Sequence, residues 1–74
     1  MRLRRVHIYS HKTAKEAETI INDAIDRCDA NDIWVNYELM VESTLQVLNN
    51  TETYYTVIIH EYDPIDYDDE EANE

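Results

Sequence analysis

Ile33-Trp34-Val35-Asn36-Tyr37-Glu38-Leu39-Met40-Val41 alternates without a break. Ile33, Val35, Tyr37, Leu39 and Val41 fall on one side, and Trp34, Asn36, Glu38 and Met40 on the other. That is the period of two a strand imposes. The pattern resumes at Leu45 and Val47, so the segment reads as one long, bent strand with a bulge near Glu42 to Thr44. Val41, Leu45 and Leu48 also suit a short helix. Asn49-Asn50 is a turn signal, because Asn tolerates positive φ. A further strand runs from about Thr53 to Tyr62, dense in Tyr, Thr, Val and Ile, and Pro64 ends it.

Upstream, the period lengthens. Ala14, Ala17, Ile20, Ile21, Ala24, Ile25 and Cys28 recur at spacings of three and four, one apolar stripe on a helix. Thr13-Ala14-Lys15-Glu16 fits a capping box, in which hydroxyl and carboxylate satisfy first-turn amides reciprocally. Asn31 is the expected left-handed cap at the other end. Before the helix, Leu3 to Ser10 reads as a strand, with Val6 and Ile8 on one face and Arg5, His7 and Tyr9 on the other. His7 and His11 are expected on the same side of it.

The order is β-α-β-β, an α+β domain in which one helix lies on one face of a three-stranded sheet and the last two strands form a long hairpin. Residues 1–63 form this single domain. Residues 64–74 form an acidic tail, expected to be disordered when free. Such tails serve either for interaction or only for solubility. One helix cannot cover both faces of a sheet. Trp34, Met40 and either Val57 or Ile58 are expected on the open face, and exposed apolar surface of that kind marks an interface. A homodimer through that face or through a sheet edge is expected, unless the hairpin curls over and covers itself.

Charge is the loudest feature. The 74 residues carry 17 acids against 6 Lys and Arg, a formal net charge of -11. Every base lies at or before Arg27, and no Lys or Arg follows it. Such a surface repels nucleic acid and anionic lipid and steers in a basic protein. The bland counterpart is an acidic protein that is simply well solvated. With no glycine and one cysteine, the chain has no phosphate-cradling loop and no internal disulfide. Neither a signal peptide nor a membrane-length apolar run is visible, so a cytoplasmic protein is expected.

Little in the sequence suggests catalysis. Four strand residues separate His7 from His11 by roughly 13 Å, too far to share a zinc ion with ligand distances of about 2 Å. His60 is on another strand, so no metal or cofactor is expected. Cys28 reads as a small core residue, no positioned base accompanies a nucleophile, and no enzyme is expected. The six tyrosines suit strands and interfaces.

The acids have a telling spacing. Carboxylates two residues apart on a strand lie about 6.6 Å from each other, close to the separation of neighbouring backbone phosphates. Glu61 and Asp63 have that spacing, as do Asp66 and Asp68 in an extended tail, which continues through Asp69, Glu70 and Glu71. Glu38 and Glu42 add charge on the neighbouring strand, with Glu61 expected opposite Glu38, and Asp23, Asp26 and Asp29 extend the field along the helix. In size, acidity and order of elements the chain resembles the small acidic DNA-mimic proteins of bacteriophages. More narrowly, it is similar to early host-takeover proteins of lytic Bacillus phages, some of which inhibit the HU-type nucleoid protein. The resemblance implies an inhibitor, working in the host bacterial cytoplasm, that blocks DNA binding by occupying the nucleic-acid site of a basic host protein. It implies no contact with nucleic acid or membrane. Arg2-Leu3-Arg4-Arg5 departs from a purely acidic mimic. The rival readings are an oligomeric assembly module whose acidity only confers solubility, and a small ligand-sequestering protein.

Overall fold

The computed structural model of the chain describes residues 1–64. Their elements are β1 (Arg2–Lys12), α1 (Ala14–Ala30), β2 (Trp34–Val47) and β3 (Asn50–Asp63). The sheet order is β1-β3-β2, and β3 is antiparallel to both neighbours. The flanking strands β1 and β2 therefore run parallel, with the returning arm of the hairpin inserted between them. The architecture is α+β, one helix and a three-stranded antiparallel sheet. The expected acidic tail, apart from Pro64, lies outside the described residues.

The helix begins where the capping box places it. The Glu16 N–H donates to Thr13 Oγ1 at 3.2 Å, and the Thr13 N–H donates to Glu16 Oε1 at 3.0 Å. The hydrogen bond from Thr13 holds the Glu16 carboxyl below the usual carboxylate range. Replacing Thr13 by Ala leaves the Glu16 N–H without its acceptor, while the backbone N–H of residue 13 keeps the Glu16 carboxylate. It is expected to cost about 1 kcal/mol and to lower Tm by roughly 5 °C in a thermal melt, with no change of fold. An unshifted melt would mean that packing alone fixes the helix start.

At the carboxyl end the left-handed residue is Asp32 (φ 56°), whereas Asn31 has φ -114°. The Ile33 N–H reaches the Cys28 carbonyl at 2.8 Å and the Asp32 N–H the Asp29 carbonyl at 3.3 Å, the paired bonds of a Schellman cap. Asn31 serves differently, donating from Nδ2 to the Arg27 carbonyl at 2.8 Å. A chain without glycine gives the left-handed position to the aspartate one residue later, which tolerates it through its short polar side chain.

Ala17, Ala24 and Cys28 are the buried helix residues. Their small side chains let α1 settle onto Val57 and Ile59 of β3, and Tyr9, Ile20, Ile21, Val35 and Tyr55 close the rim of this core. Cys28 is free, fully buried and packed as a small hydrophobe, and burial pushes its thiol up. In register, Tyr9 faces Val57 and His7 faces Ile59, so these two β1 residues share the helix side. Val6 and Ile8 lie on the open side, where Ile8 is 65% exposed. Ile58, not Val57, completes that side, next to Trp34 and Met40, 57% and 44% exposed.

Two bulges interrupt the alternation at one end of the sheet. In β1 the register shifts between Tyr9 and Lys12, and His11 takes φ 58°. In β2 it shifts between Val41 and Ser43, at the expected bulge. The β1 bulge turns His11 to stack on Tyr54, ring centroids 4.0 Å apart, so His11 does not continue the row of His7. Beyond the bulges the hairpin runs on as an arm to a two-residue turn between the paired Val47 and Asn50. There Leu48, not an asparagine, holds positive φ.

Candidate functional site

The acids expected to form one surface separate into three groups. Glu61 sits on the helix side of β3, between Arg5 of β1 and Val35 of β2. Only 2% of its side chain is exposed. Arg27, one turn from the end of α1, reaches down to its Oε2 at 2.8 Å, and His7 Nε2 approaches the same oxygen at 3.0 Å. Burial works to raise the Glu61 carboxyl, but the hydrogen bond and charge of Arg27, helped by His7, prevail and hold it below the usual carboxylate range. The same hydrogen bond raises Arg27. Glu61 is therefore an interior anion with its own cation, which corrects its expected place on a partner-binding surface. The expectation that it faces Glu38 also fails, since Glu38 is opposite Ile58.

Glu42 and Asp63 are likewise engaged within the molecule. Glu42, at the β2 bulge, reaches across β3. Its Oε1 accepts from Thr56 Oγ1 at 2.8 Å and from the His11 N–H at 2.8 Å. The bond from Thr56 and then that from His11 lower its pKa. This carboxylate ties the two bulges together. Asp63 Oδ1 takes the Arg4 guanidinium at 3.1 Å, an exposed pair. Arg4 itself falls in the other register shift of β1, between Leu3 and Arg5.

The free acids lie elsewhere. Asp23, Asp26 and Asp29 are exposed along the outer side of α1, and Asp32 follows in the cap. None of these four has an ion pair among the described residues. Spacing by three puts the helical carboxylates in one row, neighbours about 5–6 Å apart at Cβ, one charge per roughly 4.5 Å of axis. One strand of DNA carries a charge per about 3.4 Å. The nearest base, Arg27, is turned inward to Glu61. Asp32 was not singled out in the sequence. The i, i+3, i+6 spacing after Asp23 was the available signal. Glu38 is exposed, 3.9 Å from His60 Nε2 on the open face. Asp66, Asp68, Asp69, Glu70 and Glu71 lie outside the described residues.

One further concavity adjoins α1. The helix lies over β3 and leaves β2 partly bare, opening a cleft of about 360 Å³ lined by Ala14, Ala17, Ile21, Tyr37, Leu39 and Tyr55, with Glu18 and Asn22 among its lining residues. No cluster of three or more metal-ligating side chains occurs among the described residues, and none of their helices is long and apolar enough to cross a membrane. No protein-family model matches the chain, and no curated protein or solved structure is found similar to it.

Proposed function

We propose that this chain is a non-enzymatic binding protein that sets a row of carboxylates against the cationic nucleic-acid site of another protein and so excludes DNA from it. The observation that carries the reading is the row Asp23, Asp26, Asp29 and Asp32. Folding uses Asp32 as the left-handed cap but does not ask for the helical three. Like charges three residues apart repel, aspartate is a poor helix former, and anions near a helix carboxyl terminus oppose the helix dipole. A cationic receptor reverses these costs. Glu38 and the acids of residues 65–74 add to the field. The resemblance to phage DNA mimics makes an HU-type nucleoid protein the first partner to try.

The test is competition between the full chain and labelled duplex DNA for a purified HU-type protein. Inhibition should weaken on the order of ten- to a hundredfold between 50 and 200 mM salt. An Asp23→Asn/Asp26→Asn/Asp29→Asn/Asp32→Asn variant should lose it while melting no lower than the parent, since all four side chains are exposed. Full inhibition by that folded variant, or indifference to salt, would rule the row out. The rival reading, an assembly module, draws support from the bare β2.

A further inference from the structure

The two edges of the sheet are built differently. The β1 edge is interrupted by register shifts near both ends and carries Arg2, Arg4, Arg5 and Lys12. Bulges and basic side chains are the usual devices that keep an edge from pairing with another chain. The β2 edge carries no Lys or Arg, and its one bulge lies beyond Val41. From Trp34 to Val41 it pairs with β3 in unbroken register, and Glu38 is its one charged residue. Its edge amides face away from the sheet, and the Tyr37 N–H donates to its own neighbour, Asn36 Oδ1, at 2.9 Å. By alternation the outward backbone groups belong to Val35, Tyr37, Leu39 and Val41.

This strand is also apolar and bare on both faces. Tyr37, Leu39 and Val41 are 46%, 48% and 64% exposed on the helix side, and Trp34 and Met40 are exposed on the other. Together these side chains present on the order of 500 Å² of surface, a large part of the roughly 800 Å² that each partner contributes to a stable interface. A ligand filling the α1–β2 cleft would leave the edge and the far face untouched. Only another strand satisfies edge and faces together.

We infer that the occupant is a second copy of this chain, its β2 antiparallel to the first about a twofold axis at Tyr37, joining the two sheets into one of six strands. The register follows from the residues. Pairing across an antiparallel ladder requires residues on the same face, so the axis falls on a residue. An axis at Glu38 opposes two carboxylates, which is unfavourable. An axis at Tyr37 uses the whole uninterrupted stretch and makes every pair complementary. Trp34 meets Met40 of the second copy, a sulfur–aromatic contact. Asn36 meets Glu38 as amide donor to carboxylate, Val35 meets Leu39, and Tyr37 meets its own equivalent. The arrangement also explains the helix position. The two β3 strands would lie about 14 Å apart across the paired β2 strands. The two α1 helices would then flank a shared trough, filled by Tyr37, Leu39 and Ile25 of both copies.

Sedimentation equilibrium of the full chain tests this, read beside the circular dichroism of each variant. The chain should sediment as a dimer, and because each copy carries -11, added salt should tighten it. Tyr37→Glu should weaken the dimer about tenfold or more by opposing two buried carboxylates. Asn36→Lys, on an exposed side chain, should strengthen it by facing Glu38. A monomer at every concentration and salt, a dimer indifferent to both substitutions, or one lost instead on Ile8→Glu through the open face, would each overturn the proposal. Salt acts here in the opposite sense to its effect on partner docking, and the Asp row is untouched by these substitutions. Failure of the dimer thus leaves the proposed function standing, and the reverse.

Discussion

In an Arg27→Ala variant the midpoint of thermal unfolding at pH 7 falls by on the order of 10–15 °C, equivalent to about 2–3 kcal/mol. The substitution strands Glu61, whose side chain is 2% exposed, with His7 as its remaining partner. Removing one member of a buried pair costs about 3–5 kcal/mol. The expectation here is smaller because Arg27 is 47% exposed and water can reach the vacated space. The loss should also depend on pH in a stated direction. In the parent protein the Glu61 carboxyl is held below its ordinary value of 4.5. Its contribution is therefore fully present above that value and is lost as pH falls through the lowered one. Without Arg27, burial works to raise the same carboxyl, so acid relieves the variant while it weakens the parent. The gap between the two melting points should narrow from pH 7 to pH 4. A gap that is absent at pH 7, or that widens in acid, would show that Arg27 does not neutralise Glu61. Adding Glu61→Gln to Arg27→Ala should recover part of the stability by removing the stranded charge.

Ile59→Ala is expected to cost about 3 kcal/mol. That is a large share of the total, since a domain of this size holds about 0.05–0.15 kcal/mol per residue. Ile59 is 1% exposed and packs between the helix alanines and the sheet. The core around it contains four buried residues, Ala17, Ala24, Val57 and Ile59, and has few neighbours able to close a cavity. A urea titration followed by circular dichroism should show the midpoint displaced to low denaturant. Ile8→Ala, at a residue 65% exposed on the open face, should move it by less than about 0.5 kcal/mol. Equal costs at the two positions would mean that the open face around Ile8 is covered in solution, which the β2-edge dimer does not do.

Much of this architecture was legible in the residues. The capping box, the alanine and cysteine stripe and the alternation from Trp34 to Val41 are local signals, and local physics fixes them. The bulge at Glu42 was legible for the same reason, as a break in a period of two. What escaped was set by register between distant segments. Glu61 alternates correctly as a strand residue, but nothing local says that its side meets the helix or that Arg27 descends on it. The sequence shows an excess of charge, and tertiary contact decides which acids are spent internally. Glu61, Glu42 and Asp63 proved to be engaged within the molecule, while Asp23, Asp26 and Asp29 stay free because they lie on the outer side of α1. The expectation that Asn31 and Asn49-Asn50 take left-handed geometry failed, because the backbone needs it at the neighbouring positions Asp32 and Leu48.

The hairpin arm beyond Glu42 has its own thermodynamics. From Ser43 to Glu52 every residue is exposed, so the arm is held by ladder bonds and by a tip whose leucine sits in a costly left-handed conformation. Segments with few buried contacts open at far less than the global free energy. The arm is therefore expected to unzip from Leu48 inward, in small reversible steps. The fraying should stop at the stitch formed by Glu42, Thr56 and the His11 amide, where the docked layers begin. That carboxylate is the hem of the sheet, dividing a stretch that breathes from one that unfolds all at once.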